Sequence, residues 1–201
     1  SPTPQSVGAP GTAATVPIRD ALMSPGSPVT IAGIVVVPAG LLDADGRRVV
    51  IADAGGGVLA RLVEGDPAPA LGDRVRVTGV VGAYYGAPQL TADAPVELLG
   101  RAGDPAPYRV SRAPLAGELE WRLVVASGRI VELHRYGESW RAELELPGGD
   151  RLPIVGLSRA GVPATTLAEG RTATVTGIVR RPYPTASDRR FALVPRGPSD
   201  V

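Results

Sequence analysis

Arginine and tyrosine cluster at three places in this chain. Arg135 and Tyr136 follow the single histidine, His134. Arg180, Arg181, Tyr183, Arg189 and Arg190 form a second group, and Tyr84-Tyr85 a third. A guanidinium beside an exposed ring can contact a phosphate and stack on a base, which is the chemistry of single-stranded nucleic-acid recognition. The plainer reading is that Arg and Tyr decorate turns, in a chain whose 21 basic residues are all arginine. A net charge of +1 argues against strong nonspecific polyanion binding. That charge is uneven: residues 1–100 hold 6 Arg against 9 acids, and residues 101–201 hold 15 against 11. The second half is therefore the better candidate for an anion-facing surface.

Other chemistries find little support. With no cysteine and one histidine, a His/Cys zinc site cannot be assembled and thiol catalysis is excluded. Asp43-Ala-Asp45-Gly46 matches the start of a calcium loop, but position 12 is Ala54 where a closing Glu is needed, so a turn is expected. Gly156-Leu-Ser158-Arg-Ala160 lacks the final Gly of a nucleophile elbow, and any triad would have to use His134. Asp53, Glu64 and Asp66 could approach one another across a hairpin, but nothing marks them as an acid–base pair. No phosphate-binding loop or dinucleotide fingerprint occurs. The chain reads as non-catalytic, with no cofactor and no metal.

The elements that would carry these side chains occur twice. Residues 72–81, GDRVRVTGVV, match 170–179, GRTATVTGIV, with Val-Thr-Gly at the same offset. Upstream lie VTIAGIVVV (29–37) and VVASGRIVEL (124–133), each an apolar run broken by Gly. Hairpin signals follow at Gly55-Gly56-Gly57 and Gly148-Gly149. A repeat of about 80 residues is a duplicated domain, not a solenoid. With 26 Gly and 21 Pro and only 4% aromatics, the units should be many short strands around Val, Ile, Leu and Ala cores.

In the first unit, a helix over 15–23, with Thr15 as N-cap, precedes strands over 29–37, 47–53, 58–63, 73–82 and 89–98. On the fourth, Val75, Val77 and Val81 should face the core. Gly33 is expected to mark a kink or bulge in the first strand. In the second unit the strands are 121–133, 140–146, 150–155, 171–180 and 190–195. Loops are expected at 83–88, 134–139 and 181–189. Trp140 belongs to the core face, while Trp121 and Tyr108 could plug the junction between the units. Leu41 and Leu42 are expected exposed, as in a protein contact. Five short strands with a Gly-kinked first strand describe an OB-fold, a five-stranded Greek-key barrel with loops L12 and L45 at one mouth. Another small β barrel or sandwich is the alternative topology.

The run LGDRVRVTGVVGAYYGAPQL (71–90), with PIRDAL (17–22) and VTIAGIVV (29–36) before it, resembles OB-fold modules of bacterial extracellular nucleases and related surface proteins. These belong to the nucleic-acid-binding, anticodon-domain-like OB group. Leu71-Gly72-Asp73 opens strand four of that pattern, and Tyr84-Tyr85-Gly86-Ala87-Pro88-Gln89 leads into strand five. The likeness covers most of 17–98. The second unit keeps Gly170, Val175-Thr176-Gly177 and the apolar frame, but departs at RRPYPTASDRRF.

The expected architecture is thus all-β: two tandem OB-fold barrels with a short N-terminal helix. Residues 1–14 form a linker, 15–100 the first barrel, 101–118 a connector and 119–201 the second barrel. The Pro/Ser/Thr-rich start suggests a piece of a longer protein, working outside the cell or at its surface. No stretch approaches the ~20 apolar residues of a membrane span. The expected role is an accessory module for single-stranded DNA or RNA, chiefly through the L12 and L45 loops of the second barrel. Alternatives are a structural spacer that contacts other domains of the same chain, and glycan binding at the same mouth.

Overall fold

The computed structural model describes residues 14–201, so the linker expected over 1–14 lies almost wholly outside the described residues. Helix α1 (Ile18–Ala21) leads into β1 (Pro28–Val37), β2 (Arg48–Ala52), β3 (Gly57–Arg61), β4 (Asp73–Tyr84), β5 (Ala87–Ala92) and β6 (Glu97–Arg101). Strand order β1-β2-β3-β5-β4, closed by β1–β4 pairing, makes a five-stranded barrel, with β6 extending the sheet beyond β4. The second half repeats the plan with β7 (Tyr108–Arg109), β8 (Leu123–Tyr136), β9 (Ser139–Glu145), β10 (Arg151–Gly156), β11 (Thr172–Arg180) and β12 (Ala192–Val194). Its ring is β8-β9-β10-β12-β11, closed by β11–β8, and β7 adds in parallel to β8. In each barrel strand three pairs in parallel with strand five, and the other ring pairings are antiparallel. These are tandem OB-folds.

The repeated Val-Thr-Gly has a steric cause. A Cβ on Gly79 would run into the carbonyl of Thr91, and one on Gly177 into the carbonyl of Val194. At this point in each barrel, strand five crosses strand four too closely for any side chain. The interior follows the expected alternation: Val75, Val77 and Val81 point into the first core with Ile31, Val49, Ile51 and Leu90.

Alternation in β2 and β3 serves two cores at once. Val49, Ile51, Val58 and Ala60 fill the first barrel. Val50 and Leu59, on the opposite face, are equally buried, and they join Val36, Val37, Leu41 and Trp121 in the cluster that continues into the second barrel. The barrels are therefore fused through the outer face of β2 and β3. Trp121 is the joint. Its backbone adopts φ 62°, and its carbonyl lies where a Cβ of Gly57 would sit.

Several expectations are corrected. Helix α1 is one turn, and its first N–H donates to Asp53 Oδ2 at 2.8 Å, so a distant carboxylate caps it in place of Thr15. Asp53 Oδ1 also accepts from Gly55 and Gly56 N–H, tying the helix to the β2–β3 turn. The bulge in β1 falls between Val35 and Val37, not at Gly33. Gly33 instead lies where a Cβ would come within 2.6 Å of the Ala52 carbonyl. The strand expected over 89–98 breaks after Ala92 and resumes as β6, which pairs with the start of β4. Leu41 is only 6% exposed, because the surface it was expected to offer is covered by the second barrel. Tyr108 is 56% exposed and does not plug the junction.

Candidate nucleic-acid interface

Two of the expected loops are tight turns. Strand β4 runs through Tyr84, and β5 begins at Ala87, leaving Tyr85 (φ 48°) and Gly86 (φ 78°) as a two-residue hairpin turn of left-handed residues. That geometry is the one the right-handed strand twist favours, and it pushes the Tyr85 ring outward. Strands β8 and β9 likewise pair up to Tyr136↔Ser139, so His134, Arg135 and Tyr136 are strand residues near a hairpin tip, not members of a loop.

The β4–β5 turn of the first barrel meets the L45 segment of the second. Tyr84 and Tyr85 stack edge to face at 4.6 Å between centroids, and Tyr85 meets Tyr183 at 5.8 Å with rings perpendicular. Arg180 lies 4.5 Å over the Tyr183 ring, and Arg48 lies 4.2 Å over Tyr84. Tyr85 and Tyr183 are 60% and 51% exposed, so the middle of this ladder is open to solvent. Leu59, Ala87 and Trp121 help line the cleft beside it. Candidates from both halves of the sequence thus form one cluster across the barrel junction. Arg48 was not singled out in the sequence, since only the folded register brings strand two beneath the Tyr84 ring.

Arg181 has a different task. Its Nε and Nη2 donate to the two Glu120 carboxylate oxygens at 2.6 Å each, and Nη1 donates to the Gly86 carbonyl. Glu120 is buried, and these bonds hold the Arg181 guanidinium above its ordinary range. The residue clamps the second barrel to the hairpin turn of the first.

Arg190 is likewise engaged. It donates to Glu143 Oε1 at 2.7 Å and to Asp188 Oδ2 at 2.8 Å, while Arg141 also pairs with Asp188. The bonds from Arg190 pull the Asp188 carboxyl down to about 2, and the same bonds raise Arg190. This network folds the L45 segment of the second barrel over the outer face of β9. Arg189 donates to the Pro184 carbonyl within that segment. Arg135 and Tyr136 sit apart; Tyr136 is 64% exposed, and neither lines the cleft.

The face that an OB-fold commonly offers to ligands is the outside of strands two and three. Here the first barrel's is buried under the second, and the second barrel's is crossed by ion pairs. The junction cleft is an exposed aromatic surface beside them.

The carboxylates considered for acid–base work are separately engaged. Asp53 accepts from backbone N–H groups, Glu64 pairs with Arg47, and Asp66 accepts from Val96 N–H. Asp43 Oδ2 accepts from Arg47 N–H and so closes the turn over 43–47, and burial raises its carboxyl. His134 lies 3.9 Å from Glu132 on the surface of β8. Among the described residues no group of three or more His, Asp or Glu is placed to hold a metal ion. No helix among them is long and apolar enough to cross a membrane.

No family model matches the chain, and no curated protein matches it. Among solved structures it is similar to a murine DNA-binding protein bound with double-stranded DNA, at 10% identity and a TM-score of 0.40, over 84% of this chain and 93% of that one. An OBody bound to hen egg-white lysozyme matches at 22% identity and TM-score 0.38, over 45% of this chain and 92% of its own. The single-stranded DNA-binding protein from Thermus aquaticus, as a deletion mutant, matches at 13% identity and TM-score 0.29, over 84% and 90%.

Proposed function

We propose that this chain is a non-catalytic tandem OB-fold module that binds single-stranded nucleic acid at the cleft where its barrels meet. The observation that carries this reading is the ladder Arg48–Tyr84–Tyr85–Tyr183–Arg180, with spacings of 4.2 to 5.8 Å and an exposed centre. Nucleobases stack on such rings whatever their sequence, and Arg180, which makes no ion pair among the described residues, supplies cation–π and phosphate contacts, while Arg48, paired with Asp43 and Asp45, backs the Tyr84 ring. Contacts come from the L45 turns of both barrels, with Arg180 and Tyr183 as the second barrel's share. With a net charge of +1, binding should be modest and only moderately salt-dependent. The proposed setting is an accessory part of a larger protein acting outside the cell or at its surface, supported by the likeness of residues 17–98 to modules of extracellular nucleases.

The test is fluorescence anisotropy with a labelled thymidine strand of about 20 nucleotides, comparing wild type with Tyr85→Ala/Tyr183→Ala. Stacking contributes about 1–3 kcal/mol per base, so the double variant should bind at least tenfold more weakly. Unchanged affinity in the variant would overturn the proposed site.

A second reading is favoured by the clamps Arg181–Glu120 and Arg190–Glu143: a rigid spacer whose arginines serve structure alone. Absence of binding by wild type, even at low salt, would assign the chain to that role.

A further inference from the structure

The cleft beside the tyrosine ladder, about 30 Å³, is the first of three neighbouring hollows. It shares Trp121 and Arg181 with a hollow of about 590 Å³ bounded by Arg19, Met23 and residues 117–122. That hollow shares Tyr108 and Arg122 with another, of about 470 Å³, bounded by Ile34, Ala52, Arg74 and Pro105. The three follow the seam between the barrels, from the L45 turns, past α1, to the connector.

The charge of this seam differs from that of the chain. Six arginines and three carboxylates line it, against a net charge of +1 for all 201 residues. Two of those carboxylates are already satisfied: Asp53 by three backbone N–H groups and Glu120 by Arg181. Arg180, Arg19, Arg122 and Arg74 make no ion pair among the described residues, whereas Arg141, Arg151 and Arg190 on the outer face of the second barrel do. Arg122 also lies 5.8 Å over the Tyr108 ring, which is exposed. The pairing of Arg180 with Tyr183, a cation without a carboxylate partner beside an open ring, thus recurs at the far end of the seam.

We infer that a bound single strand runs along the seam between the barrels, from the Tyr85–Tyr183 ladder past Arg19 to Arg122, Tyr108 and Arg74. This rests on the ladder reading and extends it. The strand's path is set by the fusion of the two barrels rather than by the outer sheet face of either one, and it ends at a second stacking position, Tyr108. Only a strand long enough to leave the ladder can reach it.

Thymidine strands of about 4 and about 20 nucleotides, titrated against the full chain over a salt series, separate the two ideas. Arg74→Ala/Arg122→Ala should lower affinity for the long strand about tenfold and reduce its salt slope by about one to two, leaving the short strand unaffected. Arg135→Ala, remote from the seam, should change neither. Arg74→Ala alone, at an exposed position, should give part of the loss without disturbing the joint. Long-strand affinity and salt slope unchanged in the double variant would overturn the seam path while leaving the ladder standing. An equal loss for both lengths would overturn it too, since the arginines would then be supporting the fold. If Tyr85→Ala leaves short-strand binding intact, the ladder itself fails and the seam path with it.

Discussion

Asp188 shows how a single carboxylate can hold a loop. It receives Arg190 and Arg141 at once, which draws a polar segment down onto charged β9. Its carboxyl titrates at about 2 in the folded chain against an ordinary 3.8. Because the folded value is the lower one, the stabilisation is fully present above pH about 4 and is lost as pH falls toward 2. Unfolding midpoints in urea should therefore drop across that window, and Asp188→Asn should flatten the drop while lowering stability at neutral pH. A variant with the wild-type acid profile would remove Asp188 from this role. At this scale the sequence was informative about type and silent about partner. The adjacent arginines 180, 181, 189 and 190 look alike in a string, yet one stacks on Tyr183, one grips Glu120, one turns back on Pro184 and one is saturated by carboxylates. Which arginine remains free depends on acids far off in sequence, Glu143 at 47 positions from Arg190 and Glu120 at 61 from Arg181, and no local pattern records that.

Strands β2 and β3 make the corresponding point for elements. Their cores, VVIA and GVLA, are unbroken apolar runs, whereas the matching strand of the second barrel, SWRAELE, alternates with charges. An unbroken run signals burial on both faces, and here the second face meets the other barrel. The strands themselves were legible, as were the repeat and the core faces, because period-two patterning is a local property. The barrel contact was not, because a continuous run alone does not say what covers it. Turn lengths were also missed: Tyr85-Gly86 and Gly137-Glu138 allow two-residue hairpins, so strands extend into segments that composition marks as loops. Gly57 is the sharpest test of the joint. Gly57→Ala places a methyl against the Trp121 backbone and should cost about 1–3 kcal/mol, as overpacking does. Gly148→Ala, in the equivalent hairpin of the second barrel, has open space and should be near neutral. Equal thermal shifts for the two would mean that the barrels are not pressed together at this point.

For the whole molecule, the shared core makes duplication asymmetric. The two barrels have the same strand order, but one offers an apolar outer sheet face and the other a charged one, so they cannot exchange places. Val50, Leu59 and Leu41 would be exposed in an isolated first barrel, and each such side chain is worth about 1.5–3 kcal/mol when buried. The full chain is expected to unfold in one calorimetric transition, with calorimetric and van't Hoff enthalpies equal. Two resolved transitions would show that the barrels are independent. The joint has an optical consequence as well. The chain has two tryptophans. Trp140 is sealed inside the second barrel, its Nε1 donating to the Val162 carbonyl at 2.8 Å. Trp121 forms a wall of the junction cleft, with its indole N–H buried and unpartnered. One emitter therefore reports the barrel interior and the other the seam. A base stacked on the neighbouring ladder should change the emission of the second and leave the first alone, giving this molecule a label-free gauge of occupancy with its own internal reference.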